Sequence, residues 1–463
     1  MISKKKKMKK AHISTNTVST YASRHDLEDL TLTKFNEDGM GAKIAKQLIQ
    51  DELSVEGVPI LNLASFVTTW MEPEANELIM QCLNKNFIDH DEYPQVEKIH
   101  ERCVHMLADL LNVPASDNYV GTSTIGSSEA IMLAGLAHKF SWRNKQKTLG
   151  HDTSKPNIVM GANVQICWDK FARYFDVEPR IIPLEKGKYI ITAEDVAPLL
   201  DENTICVAAI LGTTFTGEYD EISEINDLLV QVKADKGWDI PIHVDGASGG
   251  FIAMFNDEEI DWDFRLAHVK SINLSGHKYG LVYPGIGWLM FKDESVVPKD
   301  LVFSVNYLGG DMPTYTLNFS RGSAMIVAQY FNFLRLGKKG YQKIVTNMMT
   351  VSNYIAKGLL ATGKFTLLGH RRMEPVVSVA LKENKPYSVF DISRKLRAYG
   401  WIVPAYTLPE KAQEIESLRV VVKENMSMTL AHDFLNSVLE VLEELEGKNS
   451  KLSATREGKN LPH

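Results

Sequence analysis

The chain has 463 residues, which is more than a single hydrophobic core normally serves, so we expect two or three domains. Its 44% of hydrophobic and 24% of charged residues are typical of a globular protein, and its net charge of -7 gives no reason to expect nucleic acid as a partner. No apolar run reaches the roughly 18 to 20 residues that a membrane span needs, so no integral membrane segment is expected.

The start of the chain and the cysteines predict a cytoplasmic protein. The lysine-rich residues 4–10 are not followed by an apolar region, so they do not predict a secretory signal. We interpret them as a solvated tail, with contact to an acidic lipid surface as the alternative. The cysteines lack the paired spacing of a metal site, which favours buried thiols in a reducing compartment over disulfides or bound zinc. They are Cys82, Cys103, Cys167 and Cys206.

The first part of the chain, residues 1–60, is predicted to form a polar tail and a helical segment. Helical periodicity begins near Gly41. The apolar residues on one face of this helix are Ile44, Leu48, Ile49 and Leu53. Two more helices are predicted over residues 74–84 and 93–111.

From about residue 118, short apolar segments alternate with helical ones. Strands are predicted over residues 157–160, 180–184, 205–211, 240–244, 271–274 and 287–291. Helices are predicted over residues 128–142, 164–175, 194–200 and 221–232. This alternation favours an α/β domain over residues 61–320, with a mostly parallel sheet that helices cover on both faces.

The pattern changes again near residue 320. Helices are predicted from residue 323 to about 360, and over residues 389–399 and 430–445. Strands are predicted over residues 365–368, 376–381 and 418–422. These elements indicate a smaller C-terminal α+β domain over residues 321–463, which ends in a polar tail.

A segment rich in glycine and hydroxyl groups, Gly121–Glu129, precedes an apolar helix. Glycines let the backbone approach an anion, and the N–H groups of the first helical turn point at it. The hydroxyls of Ser127 and Ser128 would add donors. The segment therefore predicts a phosphate site, although a serine N-cap beside a solvated loop explains the same pattern.

An aspartate ends one predicted strand and a lysine follows the next. Asp245 lies at the carboxyl end of its strand, where open α/β sheets bind ligands. Burial of Lys278 would lower its pKa, and the neutral amine could then attack a carbonyl group. Taken singly, Asp245 could cap a turn and Lys278 could be a solvated surface residue. Together with a phosphate site they describe a pyridoxal phosphate site, in which the carboxylate pairs with the ring nitrogen and the lysine holds the aldehyde.

Several separated segments resemble the pyridoxal-phosphate-dependent decarboxylases of fold type I and, more narrowly, the glutamate decarboxylase family of bacteria and plants. The two segments around the aspartate and the lysine are His243–Gly250 and Ser275–Gly280. The others are Asn62–Phe66, Asn84–Asp89, Asp91–Pro94, Gln165–Trp168, Tyr307–Gly310 and Asn318–Arg321. The resemblance implies an α/β fold with a mostly parallel seven-stranded sheet, and a homodimer or a larger assembly of dimers.

The resemblance also implies a role for each matching residue. Lys278 would form the internal aldimine and return a proton to the substrate, and Asp245 would stabilise the quinonoid electron sink. The other cofactor contacts, of which the last would come from a second subunit, would be Ser127, Ser128, Gln165, Thr214, Ala247, His277 and Ser320. The substrate contacts would be Arg419 at the α-carboxylate and, at the distal carboxyl end, Ser65, Phe66, Asn86 and Asp89.

These implied roles describe the conversion of L-glutamate to 4-aminobutyrate and carbon dioxide. The net consumption of a proton would suit a role in acid resistance. Arg419 would orient the α-carboxylate so that the bond to be broken stands perpendicular to the cofactor ring. Asp89 near the distal carboxylate predicts an acidic pH optimum, because like charges raise a carboxyl pKa.

The chain departs from the family pattern at a few positions. Gly246 stands where the family usually has alanine, which is expected to loosen the turn without removing chemistry. Plant members carry a C-terminal extension with a tryptophan that binds calmodulin, but no tryptophan follows Trp401, so calmodulin is not expected as a partner. His463 could close the site as the terminal histidine of some bacterial members does, or it could be a solvated tail residue.

Two other functions stay open at this stage. One is decarboxylation of another amino acid, such as an aromatic one, although Phe66, Asn86 and Asp89 favour a short polar substrate side chain. The other is a catalytically silent subunit with a binding or structural role. The intact pair of Asp245 and Lys278 speaks against this second alternative.

Overall fold

The computed structural model describes residues 33–35, 39–115, 118–256, 260–305, 312–382 and 386–447. The described residues form two compact units, which divide between Val58 and Pro59. The first unit contains helix α1 (Ala42–Leu53), which confirms the predicted N-terminal helix. The second unit contains all the strands described below, and the predicted boundary near residue 321 stays a prediction.

A seven-stranded sheet forms the centre of the second unit. Its strands are β1 (Val120–Thr124), β2 (Asn157–Gly161), β3 (Glu178–Ile182), β4 (Thr204–Ile210), β5 (Ile242–Gly246), β6 (Val269–Leu274) and β7 (Gly287–Phe291). They lie in the order β1-β7-β6-β5-β4-β2-β3, and β7 runs antiparallel to both of its neighbours while the other pairs are parallel. The mostly parallel seven-stranded sheet is therefore confirmed.

Helices cover both faces of this sheet. They are α2 (Pro73–Cys82), α3 (Pro94–Leu110), α4 (Ser127–Thr148), α5 (Ile166–Tyr174), α6 (Ala193–Val196), α7 (Ile222–Lys236) and α8 (Gly249–Asn256). Successive side chains of β2 alternate between two apolar clusters: Ile158 and Met160 pack in one, and Val159 packs in the other. A strand that is buried on both faces needs a continuous apolar run, which is why these strands could be predicted from sequence.

The C-terminal part contains a second, smaller sheet. Strands β8 (Phe303–Val305) and β9 (Met312–Thr314) form an antiparallel pair, and helix α9 (Ala324–Ala361) follows, with a kink at Gly337. The elements after it are β10 (Phe365–Leu367), β11 (Val376–Leu381), α10 (Val389–Leu396), β12 (Ala405–Thr407), β13 (Glu416–Val421) and α11 (Met428–Leu445). The sheet is antiparallel, in the order β10-β11-β13-β12. Neither α9 nor another helix of the described part of the chain is long and apolar enough to cross a membrane.

Strand β1 is the main difference from the predicted elements. Its sequence, Val-Gly-Thr-Ser-Thr, contains one large apolar residue and a glycine, and no strand was predicted there. Antiparallel pairing with β7 and burial of its hydroxyl side chains produce the strand. Helix α8 and strand β12 were also not predicted, and predicted strand 180–184 begins two residues later than β3.

The carboxyl ends of β4, β5 and β6 meet at one edge of the large sheet. The register pairs Ile210 of β4 with Asp245 of β5, and Asp245 with Asn273 of β6. Strand β6 ends at Leu274, shortly before Lys278. The parallel register thereby brings the predicted aspartate and lysine to the same edge.

Replacing Phe434 by alanine is expected to destabilise the packing of α11. The ring is fully buried and lies edge-on to the Trp401 ring at a centroid distance of 5.3 Å, so alanine removes contacts and leaves a cavity. We expect the free energy of unfolding to fall by about 3–5 kcal/mol in urea denaturation at one protein concentration.

Leu439→Ala on the same helix is the matched control. Leu439 is 46% exposed, so its truncation should cost less than about 1 kcal/mol. Equal losses in the two variants would contradict the packing described for α11.

Candidate active site

A cavity of about 550 Å³ opens at the carboxyl edge of the large sheet. The predicted site residues that line it are Ser65, Phe66, Ser127, Ser128, Gln165, Thr214, Asp245, Ala247, His277, Lys278 and Arg419. These residues come from distant parts of the sequence, and the fold brings them together. The remaining predicted residues, Asn86, Asp89 and Ser320, are not part of its lining.

Lys278 lies on the turn that follows β6. Its carbonyl oxygen accepts a hydrogen bond from the Thr68 hydroxyl at 2.7 Å, and its amine lies 5.3 Å from the centre of the Phe66 ring. Burial lowers the pKa of this amine by more than the nearby carboxyl groups of Asp245 and Glu374 raise it, so the net shift is downward. A larger fraction of the amine is therefore neutral and nucleophilic than in a solvated lysine, as the sequence predicted.

Three hydrogen-bond donors hold the Asp245 carboxylate. Trp168 donates from Nε1 to Oδ2 at 3.0 Å. The Ala247 N–H and the Asn273 side-chain amide donate to Oδ1 at 3.1 and 2.9 Å. Asp245 is 4% exposed, and these donors replace the water that its charge would otherwise need. Trp168 and Asn273 were not among the predicted site residues, although both lie within or beside the segments that resemble the family.

Helix α4 presents its N-terminus to the cavity. The Ser127 hydroxyl lies 2.7 Å from the Ser275 hydroxyl, and Ser128 follows in the first turn. Nδ1 of His277 is buried, and none of the described residues forms a hydrogen bond with it. Burial, with a smaller contribution from Lys278, lowers the pKa of His277 to about 4, so the ring is neutral at pH 7. Helix N–H groups, hydroxyls and a neutral imidazole together can bind a phosphate group.

Gln165, Thr214 and Arg419 form a connected part of the cavity wall. Gln165 donates from Nε2 to the Thr214 hydroxyl, and Arg419 donates from Nη1 to the Thr214 carbonyl oxygen at 2.9 Å. Arg419 also donates from Nη2 to the Ala64 carbonyl oxygen at 2.6 Å. Nε of Arg419 is buried and has no hydrogen-bond partner among the described residues, so this donor is unpaired in the structure.

Asn86, Asp89 and Ser320 lie near one another but outside the cavity of their own chain, so one chain does not bring all the predicted site residues together. Asn86 donates to Asp89 Oδ1 at 3.2 Å and accepts from the Arg321 N–H at 3.1 Å. A bridge between Asn86 and Gly322 joins the two segments, and Ser320 is exposed. The predicted contacts of these residues with a ligand stay predictions.

Three further segments singled out in the sequence lie outside the described residues. They are residues 4–10, Tyr307–Gly310 and His463. The predicted tail and the predicted closure by His463 therefore stay predictions.

Gly246 allows β5 and β6 to approach each other closely. A Cβ atom at this position would lie 3.1 Å from the Asn273 carbonyl oxygen and 3.3 Å from Cα of Gly250. Both distances are tighter than ordinary contacts of a methyl group. The glycine thus fits a narrow space beside Asp245, and its effect on the mobility of the turn stays a prediction.

Glu374 is a buried carboxyl group beside the site that was not predicted from sequence. It is fully buried, and in the described structure neither of its carboxyl oxygens has a hydrogen-bond partner. The nearby Ser248 hydroxyl donates instead to the Gly212 carbonyl oxygen at 3.2 Å. Burial raises the pKa of Glu374 to about 8. A glutamate two residues before the apolar strand β11 was the available signal in the sequence.

Comparison with known proteins identifies the family of the chain. Residues 43–382 match the model of the pyridoxal-dependent decarboxylase conserved domain. A glutamate decarboxylase of Petunia hybrida is 50% identical over 438 residues, which are 94% of this chain and 88% of that protein. A glutamate decarboxylase of Aliivibrio fischeri is 46% identical, over 86% of this chain and 87% of that protein.

Solved structures have the same fold. A glutamate decarboxylase of Lactobacillus brevis matches with a TM-score of 0.89 and 40% identity, over 91% of this chain and 97% of that chain. A tryptophan decarboxylase of Catharanthus roseus matches with a TM-score of 0.74 at 15% identity, over 89% of this chain and 90% of that chain, and this likeness concerns the fold alone. The chain belongs to the pyridoxal-dependent decarboxylase family. Two relatives that are 50% and 46% identical to it, over 94% and 86% of its length, are glutamate decarboxylases.

The residues of the cavity fit pyridoxal phosphate, the cofactor of this family. The buried and unpaired Nδ1 of His277 lies beside the first turn of α4, where a phosphate group would complete its hydrogen bonding. Asp245 offers a buried acceptor for a protonated ring nitrogen, and Lys278 offers an amine for the aldehyde.

Glu374 is expected to make stability depend on pH. Its ordinary pKa is 4.5 and its pKa in the folded protein is about 8, so the folded state retains a proton that the unfolded state releases between these values. The resulting stabilisation is complete below pH 4.5 and is lost as the pH rises towards 8. We expect the Tm of the native protein minus that of Glu374→Gln to decrease between pH 5 and pH 8 in differential scanning calorimetry.

The control for this comparison is Glu410→Gln, since Glu410 is an exposed glutamate in the same part of the chain. Its difference in Tm from the native protein should be the same at both pH values. A pH-independent difference for Glu374→Gln would contradict the raised pKa.

Proposed function

We propose that the chain decarboxylates L-glutamate to 4-aminobutyrate and carbon dioxide, with pyridoxal phosphate as cofactor and net consumption of a proton. The observation that carries this proposal is the meeting of Lys278, Asp245 and the N-terminus of α4 at one cavity. The substrate is proposed from the relatives, because chains about half identical to this one are glutamate decarboxylases.

The residues around the cavity support a division of roles toward the cofactor. When bound, pyridoxal phosphate supplies an electron sink for the electron pair that decarboxylation leaves on the α-carbon. Lys278 would bind the cofactor through its amine and later return a proton to the α-carbon. Asp245 would keep the ring nitrogen protonated, because a nearby negative charge stabilises the positive one. The residues assigned to the phosphate are Ser127, Ser128 and His277, and those assigned to the ring are Gln165, Thr214 and Ala247.

Arg419 is the residue that we assign to the α-carboxylate of the substrate. The carbonyl oxygens of Ala64 and Thr214 hold its guanidinium group through the two Nη atoms. This leaves Nε as a buried donor for a carboxylate, in a group whose orientation is already restricted. An arginine held in this way would orient the bond between the α-carbon and the α-carboxylate, which decarboxylation breaks.

A homodimer would complete the substrate site. Ser65 and Phe66 line the cavity of their own chain, whereas Asn86, Asp89 and Ser320 do not. In a symmetric dimer a segment that lies outside its own cavity can line the cavity of the partner. We therefore propose that the contacts of Asn86 and Asp89 with the distal carboxyl group, and of Ser320 with the phosphate, are made across the subunit interface.

Two alternatives compete with this function. Decarboxylation of another amino acid would use the same cofactor residues, and the likeness to a tryptophan decarboxylase at 15% identity gives no support to an aromatic substrate. A catalytically silent relative would not need a buried lysine next to a buried aspartate. A panel of amino acid substrates distinguishes glutamate decarboxylation from decarboxylation of another amino acid. Measured cofactor binding and turnover distinguish an active enzyme from a catalytically silent relative.

We also propose that the protein acts in the cytoplasm and contributes to acid resistance. The described cysteines are free and buried, which suits a reducing compartment. A reaction that consumes a proton would raise the internal pH of a cell in acid surroundings.

Loss of the Lys278 amine is expected to abolish turnover. The native protein with pyridoxal phosphate should release 4-aminobutyrate and carbon dioxide in equal amounts from L-glutamate, with its highest rate at acidic pH. Lys278→Ala should lower kcat on the order of a thousandfold or more, because the residue is assigned both cofactor binding and proton return. Borohydride reduction of the native holoenzyme should fix the cofactor on Lys278, which mass spectrometry detects.

Lys338→Ala is the control, because Lys338 is an exposed lysine of α9 that does not line the cavity. It should retain native activity. Full activity of Lys278→Ala, or a rate maximum at clearly alkaline pH, would contradict the proposed chemistry.

Coexpression of two inactive variants is expected to restore activity if the site is shared between subunits. Lys278→Ala lacks the amine, and a variant with Asn86→Ala and Asp89→Ala lacks the proposed contacts to the distal carboxyl group. Random pairing would give hybrid dimers with one intact site, hence about a quarter of the native activity per chain. Activity no higher than that of the separate variants would contradict a shared site.

A further inference from the structure

A continuous row of hydrogen bonds crosses the interior from Asp245 to helix α4. Asn273 donates from Nδ2 to Asp245 Oδ1 at 2.9 Å, and its Oδ1 lies 2.6 Å from His243 Nε2. His243 Nδ1 lies 2.7 Å from the Ser271 hydroxyl, which lies 2.7 Å from His138 Nε2. All five residues are at least 96% buried, so little of the row is exposed to water.

The direction of each hydrogen bond follows from the chemistry of the groups. An ionised carboxylate only accepts, so the Asn273 amide nitrogen faces Asp245 and its oxygen must accept from His243 Nε2–H. Burial lowers the pKa of His243 to about 4 and that of His138 to about 3, so both rings are neutral at pH 7. Neutral His243 then accepts at Nδ1 from the Ser271 hydroxyl, which in turn accepts from His138 Nε2–H. Every donor in the row thus points towards Asp245.

The row links two opposite edges of the sheet. Asp245 lies at the carboxyl edge, whereas His138 lines a second cavity of about 440 Å³ at the amino edge, together with Lys270 and Glu202. The residues that line this second cavity are different from those that line the proposed site. The row therefore begins near the surface of the opposite edge and ends at the proposed partner of the cofactor ring.

Stability alone does not account for such an arrangement. Apolar side chains could fill the same interior space, whereas buried polar groups destabilise a fold unless each one is paired. Aligned hydrogen bonds in an interior of low dielectric strengthen one another, and here they direct positive ends of dipoles at one carboxylate. The group on which the row acts is consequently the Asp245 carboxylate.

We propose that Asn273, His243, Ser271 and His138 are positioning residues that orient the Asp245 carboxylate, so that it holds the ring nitrogen of bound pyridoxal phosphate protonated. This inference rests on the cofactor role assigned to Asp245 in the proposed function. Trp168 and the Ala247 N–H would still hold Asp245 if the row were broken, so the row should adjust the charge on the ring rather than determine cofactor binding.

The experiment breaks the row in the holoenzyme and observes the ring nitrogen directly. Ser271→Ala removes the central hydroxyl, and ¹⁵N NMR of enzyme loaded with ¹⁵N-labelled pyridoxal phosphate reports protonation of the ring. We expect the native signal to be that of a protonated nitrogen and the Ser271→Ala signal to move towards the neutral form. We expect kcat for glutamate to fall about tenfold with KM nearly unchanged, because the ring charge matters after substrate has bound.

Matched variants separate this role from a general loss of packing. Ser271→Thr retains a hydroxyl and should restore most of the native signal, and Ser352→Ala removes a fully buried hydroxyl that donates to the Met349 carbonyl oxygen of its own helix and should leave the signal unchanged. His138→Leu breaks the row at its far end and provides a second test if Ser271→Ala does not fold. It should move the signal in the same direction by a smaller amount.

The outcomes distinguish this inference from the proposed function. Native signals in both Ser271→Ala and His138→Leu would overturn the inference while leaving the decarboxylase proposal intact. The NMR measurement needs only bound cofactor, so it tests the row even if the native enzyme acts on an amino acid other than glutamate. Failure of the native chain to bind pyridoxal phosphate would overturn both proposals.

Discussion

The structure around the site depends on the burial of one carboxylate, that of Asp245, in the interior of a parallel sheet. A charge in such a place needs hydrogen-bond donors, and the fold supplies them from three separate elements: Trp168 of α5, the turn after β5, and Asn273 of β6. Meeting this requirement constrains the register of β5 against β6 and the approach of α5 to the sheet edge. The narrow space at Gly246 is part of the same constraint.

The groups around Asp245 show how burial prepares a site for chemistry. Lys278 and His277 lose protons more readily, and Glu374 retains its proton more strongly, because an enclosed environment disfavours the charged form of each group. Arg419 donates hydrogen bonds to two backbone carbonyl oxygens. The result is a cavity that contains a lysine with a lowered pKa and a neutral imidazole beside the N-terminus of α4. Perturbed groups that converge on one cavity are typical of active sites.

Much of the fold and of the site could be predicted without coordinates. Apolar runs of four to seven residues predicted the strands that are buried on both faces, because both faces of such a strand need apolar side chains. Strand β1 could not be predicted, because pairing with β7 rather than its own composition makes it a strand. Glu374 and the row from Asp245 to His138 were also not predicted from sequence. The partners of a side chain across a sheet depend on strand register, which a local sequence pattern does not contain.

The sequence by itself determined the alternation of strands and helices. It also marked Asp245, Lys278 and the start of α4 as candidates, because their residue types stand together at strand ends and a helix start. The tertiary structure decided which of the candidates share a cavity. It brought together residues as distant in sequence as Ser65 and Arg419, and it held Asn86, Asp89 and Ser320 elsewhere. The physical reason is that the sequence gives the chemical groups of each side chain. The distances between those groups depend on strand order, register and packing between segments that are remote along the chain.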